Sequence, residues 1–316
     1  MLCKLWRKWR EPKAFHQGYL PEKDGHSIFF QEFGNPQGDV VLLTHGGPGG
    51  RTHSGQAAGL DLKKYRVIMF DQRGCGKSLP LGRLEHNSMA DTLDDMKRLY
   101  DYLSLQGKVI LRGASWGATV MLCFAEKYPE LVKMMLLSQI FLADDVSTEW
   151  VDRQSALFYP EFMEQMTPRN SVGKSLPEYY AGLINSNNLK QQLLAANTYG
   201  WYERVLGAFQ PSFGKKEELD EAELAELRIY MNYAAQDYTL KPSQIMKNVK
   251  KIADIPMLLV HNRLDMVCPL FSVYELHKKM PASKLVITPG IGHYNLKLKR
   301  AIRQEIMDYL NKQNNN

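Results

Sequence analysis

The chain has 316 residues, 44% hydrophobic and 23% charged, a balance that excludes disorder of the whole chain and is ordinary for a globular fold. Its formal net charge of +6 comes from 40 Lys and Arg against 34 Asp and Glu. Lys4, Arg7, Lys8, Arg10 and Lys13 carry most of that excess, and without a basic stripe or a recognisable binding motif elsewhere it speaks against a nucleic-acid partner.

The first ten residues lack the uninterrupted apolar stretch of a signal peptide, and no run approaches the ~20 apolar residues that span a bilayer. Leu2, Leu5, Trp6 and Trp9 are spaced to line one side of a short basic helix. Residues 1–13 are therefore read as a basic extension, either a solvated tail or strut or a segment for a membrane surface. Cys3, Cys75, Cys123 and Cys268 are scattered. They form neither a disulfide framework nor a zinc site, and they fit a reducing cytoplasmic compartment.

Beyond the extension, strand and helix signals alternate. His26–Phe33, Val40–Thr44 and Tyr65–Phe70 read as strands. Asp91–Leu103 has apolar residues at helical spacing, Val109–Leu111 is a short buried strand, Thr119–Tyr128 a helix and Val132–Leu137 a strand. Such alternation predicts an α/β fold, a mostly parallel central sheet flanked by helices. After about Gln139 the pattern turns helical, punctuated by Pro160, Pro168, Pro177 and Pro211. Within it, Glu217–Arg228 is a strong helix former whose carboxylates read as a solvated face. The alternation returns with strand Pro256–Val260, helix Val273–Met280, strand Lys284–Thr288 and helix Arg300–Leu310. The expected organisation is a core from 1–139 and 251–316, interrupted by an inserted all-helical cap at 140–250.

The central chemical signal is Gly113-Ala114-Ser115-Trp116-Gly117. It lies between a strand and a helix, where a sharp turn lifts a serine hydroxyl clear of a sheet and needs small residues two positions either side. The serine then sits at a helix N-terminus, which favours negative charge. A serine nucleophile requires a base, and in this arrangement the acid and then the histidine follow it in the chain. His293, in Gly290-Ile291-Gly292-His293, follows the last predicted strand and is the candidate base. Asp265 follows strand Pro256–Val260 and is the candidate to orient the imidazole, with a plain ion pair to Arg263 as its rival. His16, His26, His45, His53 and His86 precede the serine, while His261 and His277 lie in a strand end and a helix; these read as packing or surface residues. An oxyanion needs preorganised N–H donors. Gly47, in the glycine-rich His45–Gly49 stretch, and Trp116 are the candidates. The G-x-G pairs lack the third glycine of a dinucleotide site, and Gly76-Lys77-Ser78 lacks the glycine of a phosphate loop.

Together HGGPGG (His45–Gly50), DQRGCGKS (Asp71–Ser78), GASWGA (Gly113–Ala118), VHNRLDMVCP (Val260–Pro269) and GIGH (Gly290–His293) resemble the proline iminopeptidases of the α/β-hydrolase fold. That resemblance spans nearly the whole chain. It implies a serine aminopeptidase that releases N-terminal proline from short peptides through an acyl-enzyme, with a helical cap and no cofactor or metal. It also implies that Glu203 binds the substrate's free amino end. The family's Trp-x-x-Trp-Glu segment has its counterpart in Tyr199-Gly200-Trp201-Tyr202-Glu203, with tyrosine at both tryptophan positions. A second cap glutamate is expected from the resemblance, yet Arg228–Tyr233 offers none. A carboxylesterase or small-molecule amide hydrolase on the same triad therefore stays open beside the peptidase. A non-catalytic binding protein on this scaffold is the third reading.

Overall fold

The computed structural model describes residues 11–167, 173–209 and 217–313; the tryptophan-bearing N-terminal segment and Cys3 lie outside the described residues. Eight strands form one sheet: β1 (His16–Tyr19), β2 (Phe29–Gly34), β3 (Asp39–Thr44), β4 (Tyr65–Phe70), β5 (Val109–Ala114), β6 (Val132–Ser138), β7 (Met257–Leu264) and β8 (Ser283–Ile291). Their spatial order is β1-β2-β4-β3-β5-β6-β7-β8. β1 and β2 pair antiparallel with their neighbours, and every other pairing is parallel.

The strand sequences build this sheet because side chains alternate faces. In β3 Leu42 belongs to one core and Val41 and Leu43 to the other, and β4 divides the same way between Ile68 and Phe70 on one side and Val67 and Met69 on the other. Helices α2 (Met89–Tyr102), α3 (Trp116–Lys127) and α10 (Leu270–Lys279) cover the first face. The short α1 (Ser54–Ala57) and the long α11 (Leu296–Gln313) cover the second. Each fully buried Leu or Ile contributes ~1.5–3 kcal/mol, so strands apolar on both faces are the ones that occupy the sheet's centre.

Between β6 and β7 the described residues contain helices and no strand: α4 (Asp145–Asp152), α5 (Pro160–Met166), α6 (Leu176–Ile184), α7 (Leu189–Ala208), α8 (Glu221–Ala234) and α9 (Gln244–Asn248). They pack onto the sheet's first face through aromatic rings. Trp116 lies 5.2 Å from the ring of Tyr233 and 5.7 Å from that of Tyr238, and Phe141 lies 4.9 Å from Tyr238.

Several boundaries differ from the sequence reading. β2 begins at Phe29 because His26 and Ser27 bridge instead to Lys23 and Leu79. α2 begins at Met89, since Ser88 is the N-cap and Asp91 is the third helical residue of a capping box. α8 begins at Glu221, capped by Asp220.

Candidate active site

The chain leaves β3 to form β4 on one side and then crosses to form β5 on the other. Such a switch point opens a crevice at the C-terminal ends of the strands. Gly47 follows β3 there, Ser115 follows β5, Asp265 follows β7 and His293 follows β8.

Ser115 has φ 56° and ψ −131°, a conformation that costs a non-glycine residue ~1–3 kcal/mol. The neighbouring glycines make it attainable. A Cβ on Gly113 would overlap the carbonyl of Gly117, and one on Gly117 would come within 2.8 Å of the carbonyl oxygen of His45. Gly46 lies against the serine, its hypothetical Cβ 3.8 Å from Ser115 Oγ. Trp116 opens α3, so its N–H is among those without an intrahelical partner. Its indole is fully buried, and Nε1 donates to Gln72 Oε1 at 2.9 Å.

That glutamine explains why HGGPGG and DQRGCG occur together. The Gln72 backbone N–H donates to His45 Nε2 at 3.0 Å, so the proton of this imidazole sits on Nδ1, which faces the Gly46 carbonyl at 2.8 Å. Burial holds the ring's pKa down and keeps it neutral. The Gln72 side-chain amide donates to the His45 carbonyl at 3.0 Å. Asp71 Oδ1 accepts from the backbone and the hydroxyl of Thr52, each at 2.7 Å, and Oδ2 accepts from Lys77 N–H at 2.8 Å. Arg73 is buried and pairs with Asp95 at 2.7 Å. Gln72 and Asp71 thus fasten the segment His45–Thr52 that carries Gly47, while Arg73 ties the same turn to α2.

His293 Nδ1 lies 2.7 Å from Asp265 Oδ2. The other carboxylate oxygen accepts from the N–H groups of Val267 at 3.0 Å and Cys268 at 2.9 Å. Burial alone would raise the Asp265 pKa, but the adjoining His293 charge and these hydrogen bonds hold it below the usual carboxylate value. Asp265 is buried and Arg263 is exposed, so the carboxylate is turned to the imidazole and not to an ion pair on the surface. Cys268 also sits here, fully buried, its thiol within hydrogen-bonding reach of Ser115 and pushed well above its ordinary pKa by burial and then by Asp265. His261 is buried next to the pair and bonds the Cys268 carbonyl at 2.9 Å, a packing role.

The His293 loop is also held by the helical insert. His293 N–H donates to the Gly207 carbonyl of α7 at 2.6 Å, and Tyr294 N–H donates to the same oxygen at 3.0 Å. Gln139 donates its side-chain amide to the His293 carbonyl. Gly207 is required at this contact, because a Cβ there would overlap the Tyr294 ring.

Ser115, His293, Gly47 and Cys268 all line one cavity of about 510 Å³. Its roof comes from α7 and α8, which contribute Glu203, Glu223, Glu226 and Tyr230. The Glu203 pKa is raised to about 7, chiefly by burial, with a hydrogen bond from Tyr230 opposing the shift and the charge of Glu226 adding to it. Glu226 is a candidate cavity residue that the sequence reading did not single out. It lies in the Glu217–Arg228 stretch taken as a solvated face, and although exposed, its surface includes the cavity wall. The α8 backbone at Glu226 presses on Gly49, where a Cβ would overlap the Glu226 carbonyl. Tyr199 and Tyr202 do not line the cavity. Tyr199 donates to Asp152 Oδ1 at 2.9 Å and Tyr202 hydrogen-bonds Ser155, so both hydroxyls fasten α7 to the segment around α4. Neither side chain therefore shapes the cavity wall.

A family model for the alpha/beta hydrolase fold matches residues 39–299. A proline iminopeptidase of Neisseria meningitidis serogroup A is 32% identical over 307 residues, covering 94% of this chain and 97% of its own. One from Arabidopsis thaliana is 32% identical, covering 89% of this chain and 76% of its own. The chain belongs to the proline iminopeptidase family. Solved structures add the fold alone: an esterase from Exiguobacterium antarcticum is 19% identical with a TM-score of 0.61, covering 93% of this chain and 98% of its own. A hydrolase from Pseudomonas aeruginosa is 15% identical with a TM-score of 0.59, covering 94% and 99%. None of the described helices is long and apolar enough to cross a membrane.

Proposed function

We propose that the protein is a serine aminopeptidase that releases N-terminal proline from short peptides, with residues 140–250 acting as the cap that recognises the amino end. Ser115 Oγ attacks the carbonyl of the N-terminal residue while His293 Nε2 takes its proton. Asp265 holds the imidazole through Nδ1 and stabilises the imidazolium. The N–H groups of Gly47 and Trp116 hold the oxyanion. His293 then returns the proton to the leaving amine nitrogen, and water, activated by the same imidazole, hydrolyses the acyl-serine. Glu203 accepts from the substrate's secondary ammonium, and Glu226 adds negative charge beside it.

The observation that carries this reading is the cavity itself, which joins Ser115 and His293 to Glu203 and Glu226 within one wall. Carboxylates in the wall of the nucleophile's cavity suit a substrate with an ammonium group, which a simple ester lacks. The family relationship supports the same substrate class. The test compares a prolyl arylamide with its N-acetylated form and with a simple aryl ester. Arylamide cleavage that is lost on acetylation is expected. Ester cleavage with neither arylamide cleaved overturns the peptidase reading.

A further inference from the structure

The Glu203 carboxylate is held in the absence of substrate. Glu203 lies on α7, while α8 presents Glu226 and Tyr230, four residues apart and so on one face of that helix. All three line the cavity that contains Ser115. The Tyr230 hydroxyl donates to the Glu203 carboxylate. An ionised carboxylate only accepts, so the single Tyr230 proton is committed to it and the Tyr230 oxygen remains to accept. Its partner there is the Tyr238 hydroxyl. The result is a line of donors, Tyr238 to Tyr230 to Glu203, whose members strengthen one another in a dry interior.

The surroundings hold both tyrosines in place. Tyr238 has φ 56° and ψ 22°, a left-handed conformation that a bulky residue keeps only where its neighbours over-determine it. Its ring lies 4.9 Å from that of Phe141 and 5.7 Å from that of Trp116, the residue after the nucleophile. The Tyr230 ring lies 6.0 Å from that of Tyr199, whose hydroxyl is engaged by Asp152. Charge alone does not fix the carboxylate. Glu226 repels it and His293 and Arg204 attract it, while Arg51, Glu223 and Lys299 line the same cavity. Arg204 is the next residue on α7, and consecutive helical residues do not face each other. A directional hydrogen bond from Tyr230 supplies the orientation that these charges lack.

We propose that Tyr230 is a positioning residue for substrate binding: its hydroxyl, backed by Tyr238, holds one oxygen of Glu203 and leaves the other to receive the substrate's ammonium. The inference rests on the aminopeptidase reading and deepens it by naming the groups that prepare its carboxylate. A glutamate free to turn about its side-chain bonds must be ordered by each substrate, which weakens binding. One already held by Tyr230 avoids that loss. The same bond favours the ionised form of Glu203, so without it the carboxylate is lost at a higher pH.

The experiment measures kcat and KM against pH for a prolyl arylamide and an aryl ester. It uses the parent protein, Tyr230→Phe, Tyr238→Phe, Glu203→Gln and the double variant Tyr230→Phe/Glu203→Gln. Tyr230→Phe keeps the ring and removes the donor. Its arylamide KM should rise about tenfold with kcat within about threefold, and the ester should change far less. The acid-side fall of the arylamide-to-ester ratio of kcat/KM should move to higher pH. Tyr238→Phe should shift KM and that fall in the same direction by a smaller amount. Once Glu203 is glutamine, Tyr230→Phe should change arylamide kcat/KM by less than about twofold. An unchanged KM in Tyr230→Phe overturns the proposal. So do equal losses on arylamide and ester, or effects that simply multiply in the double variant. Should Tyr230→Phe not fold, a Tyr238→Phe protein with unshifted KM and unshifted acid-side fall overturns it as well. Failure of the aminopeptidase reading looks different: the parent itself leaves the arylamide uncleaved, and the proposal falls with it.

Discussion

The C-terminal edge of the sheet and the helices above it build the same cavity by different means. At the sheet edge each candidate residue stands one to three positions beyond a strand, on a turn that only certain neighbours permit. In the insert, Glu203 and Glu226 sit inside helices, where most residues other than proline and glycine keep the helix intact. The first arrangement constrains the backbone and marks the sequence with glycines. The second constrains only which way a side chain faces. On the proposed function, chemistry at the edge is thus rigidly specified, while side chains above it can change one at a time and leave the fold alone.

The largest expected effect separates the two regions. Ser115→Ala should lower kcat/KM by on the order of 10⁴–10⁶ for the prolyl arylamide and for an aryl ester alike, and should abolish labelling by a fluorophosphonate. Labelling that persists would falsify the nucleophile assignment.

The next joins them. Gly207 belongs to the insert yet holds the His293 loop through its carbonyl. In Gly207→Ala the methyl meets Tyr294 and must displace the loop. A misplacement of about 1 Å can cost ~10²-fold, so kcat should fall about a hundredfold on both substrates. A Gly207→Ala protein with normal kcat and a normal melting temperature would mean that the insert does not set the histidine's position.

A smaller effect confined to one substrate is expected from the insert. Glu203→Gln removes a charge-assisted bond worth ~1.5–3 kcal/mol, so arylamide kcat/KM should drop about 10- to 100-fold, mostly in KM. The aryl ester, with no amino group, should change far less. Equal losses on both would reduce Glu203 to a structural residue.

Legibility followed the same division. Strand Tyr65–Phe70 was readable to the residue because every position is apolar or edge-tolerant and both flanks break the pattern. The Gly113–Gly117 turn was readable because its crowding excludes larger side chains. β1 was not, since His16–Tyr19 is mostly exposed and has no apolar alternation to mark it. α3 starts at Trp116 and not at Thr119, because the strained serine, not an ordinary capping residue, begins it. Glu226 escaped because a helix written EAELAEL has acidic residues on several faces, and only the packing of α8 against Gly49 and α7 decides which face meets the cavity. The tyrosines at 199 and 202 misled for the converse reason: their distance from the cavity depends on Asp152 and Ser155, partners remote in sequence.

The finest distinction lies within the insert, between its two glutamates. Glu203 titrates at about 7, and kcat/KM reports the free enzyme. The carboxylate that binds ammonium exists above that pH. Dividing the arylamide kcat/KM by that of the aryl ester cancels the triad's own titration. The ratio should therefore fall up to tenfold per unit as the pH drops below about 7, and fall again at alkaline pH, where the substrate's own amino group (ordinary pKa about 8) loses its proton. Glu226 is one of the causes that raise the Glu203 pKa, through like charge. Removing that charge in Glu226→Gln lets Glu203 ionise more readily, so the bend should move to lower pH even as ammonium binding weakens by up to about tenfold at its plateau. A bend that stays in place while the plateau drops would show that Glu226 touches the substrate without sensing Glu203. A bend that moves with an unchanged plateau would show that it acts only through its neighbour.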